Sequence, residues 1–256
     1  MSNIKTIKKY QGPKQKKINE FLTKFVENIE TRCRQYYCEH LAEWEYAYYN
    51  LLANERRLYS PMGAAMHNVT PIHQSEAPVT RRRDRRKTQN KNRTKSGGGR
   101  VHLWTCSDGA EYFFEFKRSS ASLARIRNEV PKKISERWEN LGRQVDEIKS
   151  GIKKDENYTD LESSTYFIGM HVITLYKSSK YRERLVNDDV DGETTRVLKC
   201  LRKRFRRNPD LVLAWIIDDE EMRIIPTEWD NEDEESKWEL IPFHLFCFIV
   251  EKNERS

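Results

Sequence analysis

An acidic and a basic side chain lie two positions apart in an aromatic segment, residues 112–118, which reads Tyr-Phe-Phe-Glu-Phe-Lys-Arg. Short apolar segments with this alternation are typical of buried strands. Because successive side chains of a strand point to opposite faces, Glu115 and Lys117 share one face, and Phe114 and Phe116 point the other way. Such a buried charged pair is either an ion pair or a site that holds a divalent cation and a water polarised for attack.

A second acid, Glu45, lies within a segment of helical periodicity. Apolar residues recur at spacings of three and four through residues 18–58, which predicts one long helix or two shorter ones. The side chains one or two turns from Glu45 are apolar or aromatic: Leu41, Tyr48, Tyr49 and Leu52. Glu45 is therefore expected on or beside the apolar stripe, where an acid is either paired or functional.

Composition limits the classes of protein to consider. The 256 residues are enough for one large domain, and we predict a basic lead-in at 1–17 followed by a single domain at 18–256. The formal charge of +7 favours a polyanionic partner. We expect no membrane span, because no apolar run reaches about 18 residues. The five scattered cysteines favour a reducing cytoplasm and argue against structural zinc.

The most basic segment of the chain is residues 80–99, which we predict to be a flexible loop. It is either a solvated linker or an arm that neutralises the phosphates of a nucleic acid. Under the second interpretation, the candidate nucleic-acid-binding residues of this loop and of later segments are Arg81, Arg82, Arg83, Arg85, Arg86, Lys87, Arg100, Arg118 and Lys203.

The remaining elements follow from periodicity and turn residues. Residues 60–63 are expected to end the first helix, and Asp108-Gly109 between two alternating apolar runs predicts a hairpin. Apolar patterns predict an edge strand at 69–79, a helix at 131–153, a central strand at 165–176, a helix at 193–207, strands at 211–217 and 243–250, and an acidic connection at 218–235.

This order of elements, with Glu45 on the first helix and Glu115-x-Lys117 on the third strand, resembles the PD-(D/E)xK nuclease superfamily over roughly residues 35–176. The resemblance implies an α/β fold with an αβββαβ restriction-endonuclease-like core, a mixed central sheet flanked by helices, and a C-terminal extension of the sheet. It also implies that Glu115 binds Mg²⁺ or Mn²⁺ and that Lys117 orients or deprotonates the attacking water. Glu45 matches the acid of the first helix, and Gln144 resembles a polar residue that some members carry on the second helix.

The sequence departs from the family pattern where an Asp is expected on the second strand, because His102 occupies that position. A neutral imidazole can ligate Mn²⁺ or a softer metal but is a poor ligand for Mg²⁺, and it could instead hydrogen-bond a phosphate. Three outcomes follow: an active nuclease with an altered metal preference, an enzyme whose acid has migrated to a residue such as Glu76, or a fold that binds without catalysis.

The sequence as a whole predicts a cytoplasmic, metal-dependent endonuclease that acts on DNA, with RNA as an open alternative substrate. Its candidate catalytic residues are Glu45, His102, Glu115, Lys117 and Gln144, and its candidate metal ligands are Glu45, His102 and Glu115. The alternative from another class is a catalytically inactive nuclease-like module that binds nucleic acid or a partner protein. A homodimer, or a protein partner from a defence or mobile-element system, is also left open.

Overall fold

Eight strands form one mixed sheet in the computed structural model of the protein. The structure describes residues 7–11, 16–40, 59–80, 98–152, 164–178, 190–217, 224–226 and 238–253. The strands are β1 (Ile7–Gln11), β2 (His73–Thr80), β3 (Gly98–Ser107), β4 (Ala110–Ser122), β5 (Ser164–Ser178), β6 (Leu211–Ile216), β7 (Ile224–Pro226) and β8 (Trp238–Lys252). Their order is β1-β6-β8-β5-β4-β3-β2, and β7 pairs with β8 off this path.

Five helices within the described residues flank this sheet: α1 (Lys16–His40), α2 (Tyr59–Val69), α3 (Leu123–Asn128), α4 (Lys132–Ile152) and α5 (Val190–Arg204). The strands β4 and β5 are parallel, whereas the other described strand pairs are antiparallel. The predicted α/β class, with a mixed central sheet between helices, is confirmed. None of the described helices is both long enough and apolar enough to cross a membrane.

Two apolar cores lie on opposite faces of the sheet. The first core contains the inner faces of α1 and α2 together with Phe114 and Phe116 of β4. The second contains the inner faces of α3, α4 and α5 together with Phe113. The alternation predicted for β4 is therefore present, and the strand is covered on both faces.

The β3–β4 hairpin turns at Asp108 and Gly109, as the sequence predicts. Both residues have positive φ, 50° and 69° respectively. Positive φ at both central positions is what a type I′ turn requires, and Asp-Gly adopts it at low cost. This turn sets the register in which Leu103 pairs with Phe114 and Thr105 with Tyr112.

The helix α4 crosses from β4 to β5 and covers both strands. The apolar stripe of α4 is buried throughout: Ile134, Trp138, Leu141, Val145 and Ile148. It approaches β5 so closely at Gly169 that a Cβ there would lie 2.9 Å from Leu141 Cγ and 3.0 Å from Val145 Cγ2. The absence of a side chain at Gly169 thus sets the height of α4 above the sheet.

The structure differs from the sequence predictions at several element boundaries. Residues 60–63 begin α2 instead of ending the first helix, because a proline is well tolerated in the first turn, where its missing N–H is not needed. Residues 7–11, predicted as part of the lead-in, form β1 against β6. The short helix α3 was not predicted, and α5 ends at Arg204. Residues 41–58 and 81–97, and residues 218–223 and 227–235 of the predicted acidic connection, lie outside the described residues, whereas residues 224–226 of that connection form β7.

The close approach at Gly169 gives a prediction about stability. Gly169→Ala should lower the free energy of unfolding by about 1–3 kcal/mol, because the new methyl group overpacks against α4. Gly142→Ala is the matched control within α4, since its Cβ would lie 3.6 Å from Ile249 Cδ1, an ordinary contact. That substitution should raise stability by about 0.5–1 kcal/mol through helix propensity. Urea denaturation measures the free energy of unfolding of both variants. Equal changes in the two variants would contradict the packing argument.

Candidate active site where two strands separate

The strands β3 and β4 separate at His102 and Glu115. From Leu103 to Ser107, β3 pairs with β4, but its earlier residues pair with β2. The described residues of β4 from Glu115 onward pair with β5 and not with β3. We call the region where this pairing ends, His102 of β3 and residues 115–119 of β4, the strand fork.

The strand fork coincides with an irregularity in β2 and β3. Val101 belongs to the core under α4, whereas Leu103, two residues later, belongs to the core under α1 and α2. Residues two apart on a regular strand share a face, so the alternation breaks at His102. Glu76, at the corresponding position of β2, has a positive φ of 53°, a conformation uncommon for residues other than glycine. In both strands, the side chains therefore change the sheet face to which they point at the same level, at Glu76 of β2 and His102 of β3.

Side chains replace β3 as the hydrogen-bonding partner of β4 in the strand fork. The backbone N–H of Phe116 donates to His102 Nδ1 at 2.9 Å. The backbone carbonyl of Arg118 accepts a hydrogen bond from Arg137 Nη1, which also lies 3.4 Å from Ser119 Oγ. Buried backbone polar groups need partners. His102 and Arg137 thus allow β4 to continue without its neighbour.

The hydrogen bond from the Phe116 N–H determines the tautomer of His102. Because Nδ1 accepts a hydrogen bond, its lone pair is in use and the neutral ring carries its proton on Nε2. Nδ1 lies 3.6 Å from Glu115 Oε2, with the two side chains 13% and 0% exposed. That distance suits an ion pair, but an acceptor nitrogen cannot donate to a carboxylate. If His102 ligated a metal, its ring would have to lose the hydrogen bond from the Phe116 N–H. Metal ligation by His102 therefore stays a prediction.

Glu115 and Lys117 lie on the same face of β4 at the strand fork. They alternate with Phe114 and Phe116 of the first core, so they are directed towards the face that α4 covers. Glu115 is 0% and Lys117 8% exposed. Their neighbours in register on β5 are Gly169 and His171. The structure therefore brings together His102, Glu115 and Lys117, as expected from the sequence.

Gln144 of α4 is expected at the level of Glu115. The helix runs antiparallel to β4, because β4 and β5 are parallel. Gln144 follows Arg137 by two turns, about 10 Å, and the same distance along β4 corresponds to about three residues. Arg137 contacts Arg118 and Ser119. Gln144 is therefore expected beside the β4 residues three positions earlier, Glu115 and Phe116. Gln144 Oε1 is buried and has no hydrogen-bond partner among the described residues.

A basic cluster extends the site along β4. Ser119 Oγ lies 2.9 Å from His171 Nε2, and the His171 ring stacks on Trp138 with ring centroids 6.2 Å apart. Burial, together with the charges of Arg137 and Lys117, lowers the pKa of His171 to about 3. Burial and Arg137 lower the pKa of Arg118 to about 10. Positive charge is thus concentrated around the neutral His171.

The other predicted site residues differ in position. Arg100 on β3 and Lys203 on α5 are exposed, whereas Arg118 is half-buried and belongs to the β4 segment of the strand fork. The predicted residues that lie outside the described part of the chain are Glu45, Arg81, Arg82, Arg83, Arg85, Arg86 and Lys87. Sequence reasoning missed Ser119, Arg137 and His171. One available signal was that Arg137 precedes Gln144 by seven residues and so lies on the same side of α4.

The oxygen donors at the strand fork fit a hard divalent cation. A carboxylate from Glu115 and the amide oxygen of Gln144, which has no described partner, are of the type that Mg²⁺ prefers. Among the described residues, no group of three or more His, Cys, Asp or Glu side chains is arranged to hold a metal ion. The predicted acid Glu45 lies outside the described residues.

Comparison with known proteins adds no relative to this picture. The chain matches no protein-family model, and it matches none of the curated proteins or solved structures with which it was compared.

Two buried histidines predict a dependence of stability on pH. The pKa values of His171 and His244 are lowered to about 3, chiefly by burial. A histidine whose folded pKa lies below its unfolded value of about 6.5 stabilises the protein above that pH, and the contribution is lost as the pH falls towards 3. Between pH 7.5 and 5, each histidine should reduce the free energy of unfolding by on the order of 2 kcal/mol.

Urea denaturation of the parent, His171→Asn and His244→Asn at both pH values checks this prediction. Each variant should lose about half of the extra destabilisation seen at pH 5, because it removes one of the two titrating rings. A parent and a His171→Asn variant with the same pH dependence would show that His171 does not titrate in this way.

Proposed function

We propose that the protein is a metal-dependent nuclease that hydrolyses DNA phosphodiester bonds with Mg²⁺ or Mn²⁺. The observation that carries the proposal is the pair Glu115 and Lys117, buried side by side where β3 and β4 separate. Burying a carboxylate and an ammonium group is costly, and strand pairing is given up at the same place. Both costs are understandable if the strand fork admits a cation and a phosphate.

The arrangement of strands supports the same proposal. After α2, the chain forms β2, β3 and β4 as neighbouring antiparallel strands, and α4 then leads to β5, parallel to β4. Apart from the short helix α3, this is the αβββαβ order in a mixed sheet that the resemblance to the PD-(D/E)xK superfamily implies. The restriction-endonuclease-like core is therefore part of the proposal, with β6, β7, β8 and β1 extending the sheet.

Each residue at the strand fork has a distinct task under this proposal. Glu115 and Gln144 would hold the cation, and Glu45 is the further acid expected from the sequence. A bound Mg²⁺ would supply Lewis-acid polarisation of the phosphate and lower the pKa of a coordinated water. Lys117 would orient the attacking water and stabilise negative charge that develops on the phosphate. His102 keeps β4 in place by accepting the Phe116 N–H.

Basic surface beyond the strand fork suits a DNA backbone. Arg100 on β3 is exposed. The outer side of α5 carries exposed cations, including Lys203. Arginine and lysine contacts to phosphates release counterions, so the affinity should fall steeply with salt concentration. The arginines of residues 81–87 are proposed to add to this binding.

Cleavage of plasmid DNA tests the proposal directly. The parent should cleave with Mg²⁺ or Mn²⁺, and Glu115→Gln and Lys117→Met should each reduce the rate about 100-fold or more, because each removes a group that acts on the reacting atoms. These substitutions keep side-chain size, and circular dichroism verifies that the fold is retained.

Glu111→Gln is the matched control for this experiment. Glu111 is buried on the same face of β4, and burial also raises the pKa of its carboxyl group. It pairs with Cys106 in the closed part of the hairpin, away from the strand fork. Its neutralisation should leave the cleavage rate within about threefold of the parent. Equal losses from Glu111→Gln and Glu115→Gln would point to general destabilisation.

One observation favours a second candidate function, a nuclease-like module that binds DNA without cutting it. The position expected to carry an Asp holds His102, whose Nδ1 is occupied by the Phe116 N–H. A neutral ring adds no negative charge to attract a cation. Salt-sensitive DNA binding without cleavage in either metal would select this candidate.

The substitution His102→Asp separates the two candidates further. One carboxylate oxygen can accept the Phe116 N–H while the other adds charge for a cation, so Mg²⁺-dependent cleavage should rise about tenfold or more. His102→Asn is the control, because its amide oxygen can also accept the N–H but adds no charge. Initial rates over a series of Mg²⁺ concentrations measure the effect. If both variants cleave at the same rate, His102 does not lie at the metal position.

A further inference from the structure

Arg137 is a basic residue whose hydrogen bond to β4 is explained by the fold but whose charge is not. It lies on α4, half-buried, on the side of the helix that faces β4. Exposed basic residues of the same helix, such as Lys132, pair with an acid on the helix surface. Among the described residues, no carboxylate forms an ion pair with Arg137. A guanidinium group removed from water without a counter-ion is costly, and such a site favours an anion.

The contacts of Arg137 use only part of its guanidinium group. Nη1 donates to the Arg118 carbonyl and lies 3.4 Å from Ser119 Oγ. Among the described residues, these contacts involve Nη1 alone, which leaves the donors on Nε and Nη2. A guanidinium group held at one nitrogen is already oriented, and its remaining donors match the spacing of two phosphate oxygens.

The surroundings of Arg137 are positively charged and prearranged. Lys117 and Arg137 both act on the buried His171, and Arg137 acts on Arg118. His171 is held by Ser119 and by stacking on Trp138. Lys117 and Arg137 therefore bring two positive charges to the face of β4 that carries Glu115. Like charges repel each other, and a bound anion would relieve that repulsion.

We infer that Arg137, held against β4 by Ser119 and the Arg118 carbonyl, binds a backbone phosphate of DNA next to the Glu115 and Lys117 pair. This inference rests on the proposed function, since it assigns a substrate contact of the same site. Arg137 would hold a phosphate adjacent to the one that is cleaved, and so fix the position of the strand relative to Lys117.

A purely structural role makes different predictions. If Arg137 serves only to satisfy the Arg118 carbonyl, its loss lowers stability and leaves the electrostatics of DNA binding unchanged. If it binds a phosphate, its loss removes one counterion-releasing contact whatever happens to stability. The salt dependence of binding distinguishes these roles, because it depends on the number of phosphates neutralised.

The experiment measures the binding of a fluorescein-labelled DNA duplex by anisotropy, in EDTA, over a series of NaCl concentrations. Arg137→Gln should weaken binding about tenfold and reduce the slope of log K against log salt concentration by about 0.9. The matched control is Arg143→Gln, since Arg143 is exposed on the same helix and donates to Asn140 Oδ1 at 2.7 Å. The control should keep the parent slope. A parent slope in folded Arg137→Gln would overturn the inference.

A second measurement uses the unmodified chain, so it does not depend on the folding of a variant. Phenylglyoxal reacts with accessible arginines, and mass spectrometry of the digested protein reports the reaction at each position. Bound DNA should suppress the reaction at Arg137. Equal reaction with and without DNA, including no reaction in both states, would contradict a phosphate site there.

The outcomes for binding and for cleavage are separable. A parent that cleaves, with Arg137→Gln at the parent slope, overturns the phosphate site and leaves the proposed nuclease function in place. A parent that cuts with neither metal, with a reduced slope in Arg137→Gln, overturns catalysis and supports the phosphate site in a DNA-binding module.

Discussion

The architecture of the candidate site depends on one constraint: β4 must keep its buried backbone polar groups satisfied after β3 has left it. A buried N–H or carbonyl without a partner costs about 1–3 kcal/mol. The N–H of Phe116 and the carbonyl of Arg118 find their partners in His102 and Arg137. An imidazole from β3 and a guanidinium from the covering helix thus replace a strand as the hydrogen-bonding partners of β4.

The charged residues of the strand fork, Glu115 and Lys117, lie between two apolar layers. On one face of β4, the second core packs α4 onto the sheet. Because Gly169 of β5 has no side chain, α4 can approach the sheet closely there. On the other face, Phe114 and Phe116 pack under α1 and α2. This double covering keeps water scarce around Glu115 and Lys117, so their interactions with a bound group are stronger than at a surface. The same covering makes rotation of either side chain difficult, which favours a fixed geometry.

Local patterns predicted much of the fold but little of the fine structure of the site. Alternation, helical stripes and the Asp108-Gly109 turn gave β3, β4, α4 and β5, because short-range periodicity determines these elements. The start of α2 was misread, since the residues around Pro61 suit either end of a helix. Glu115 and Lys117 were recognisable as a pair along the chain. The roles of Arg137 and His171 depend on contacts across the sheet, which no single segment encodes, and the face switch at His102 depends on pairing with β2.

The position of β8 has a consequence for how the chain reaches this structure. This strand, residues 238–252, lies between β5 and β6, and β6 in turn pairs with β1. During synthesis, β1 and β6 must therefore wait for β8 before they can join the rest of the sheet. Contacts between such distant segments slow folding. The strands β2, β3, β4 and β5 can assemble first, together with α4. The edge of this half-sheet along β5 can then pair with other chains until β8 has been synthesised.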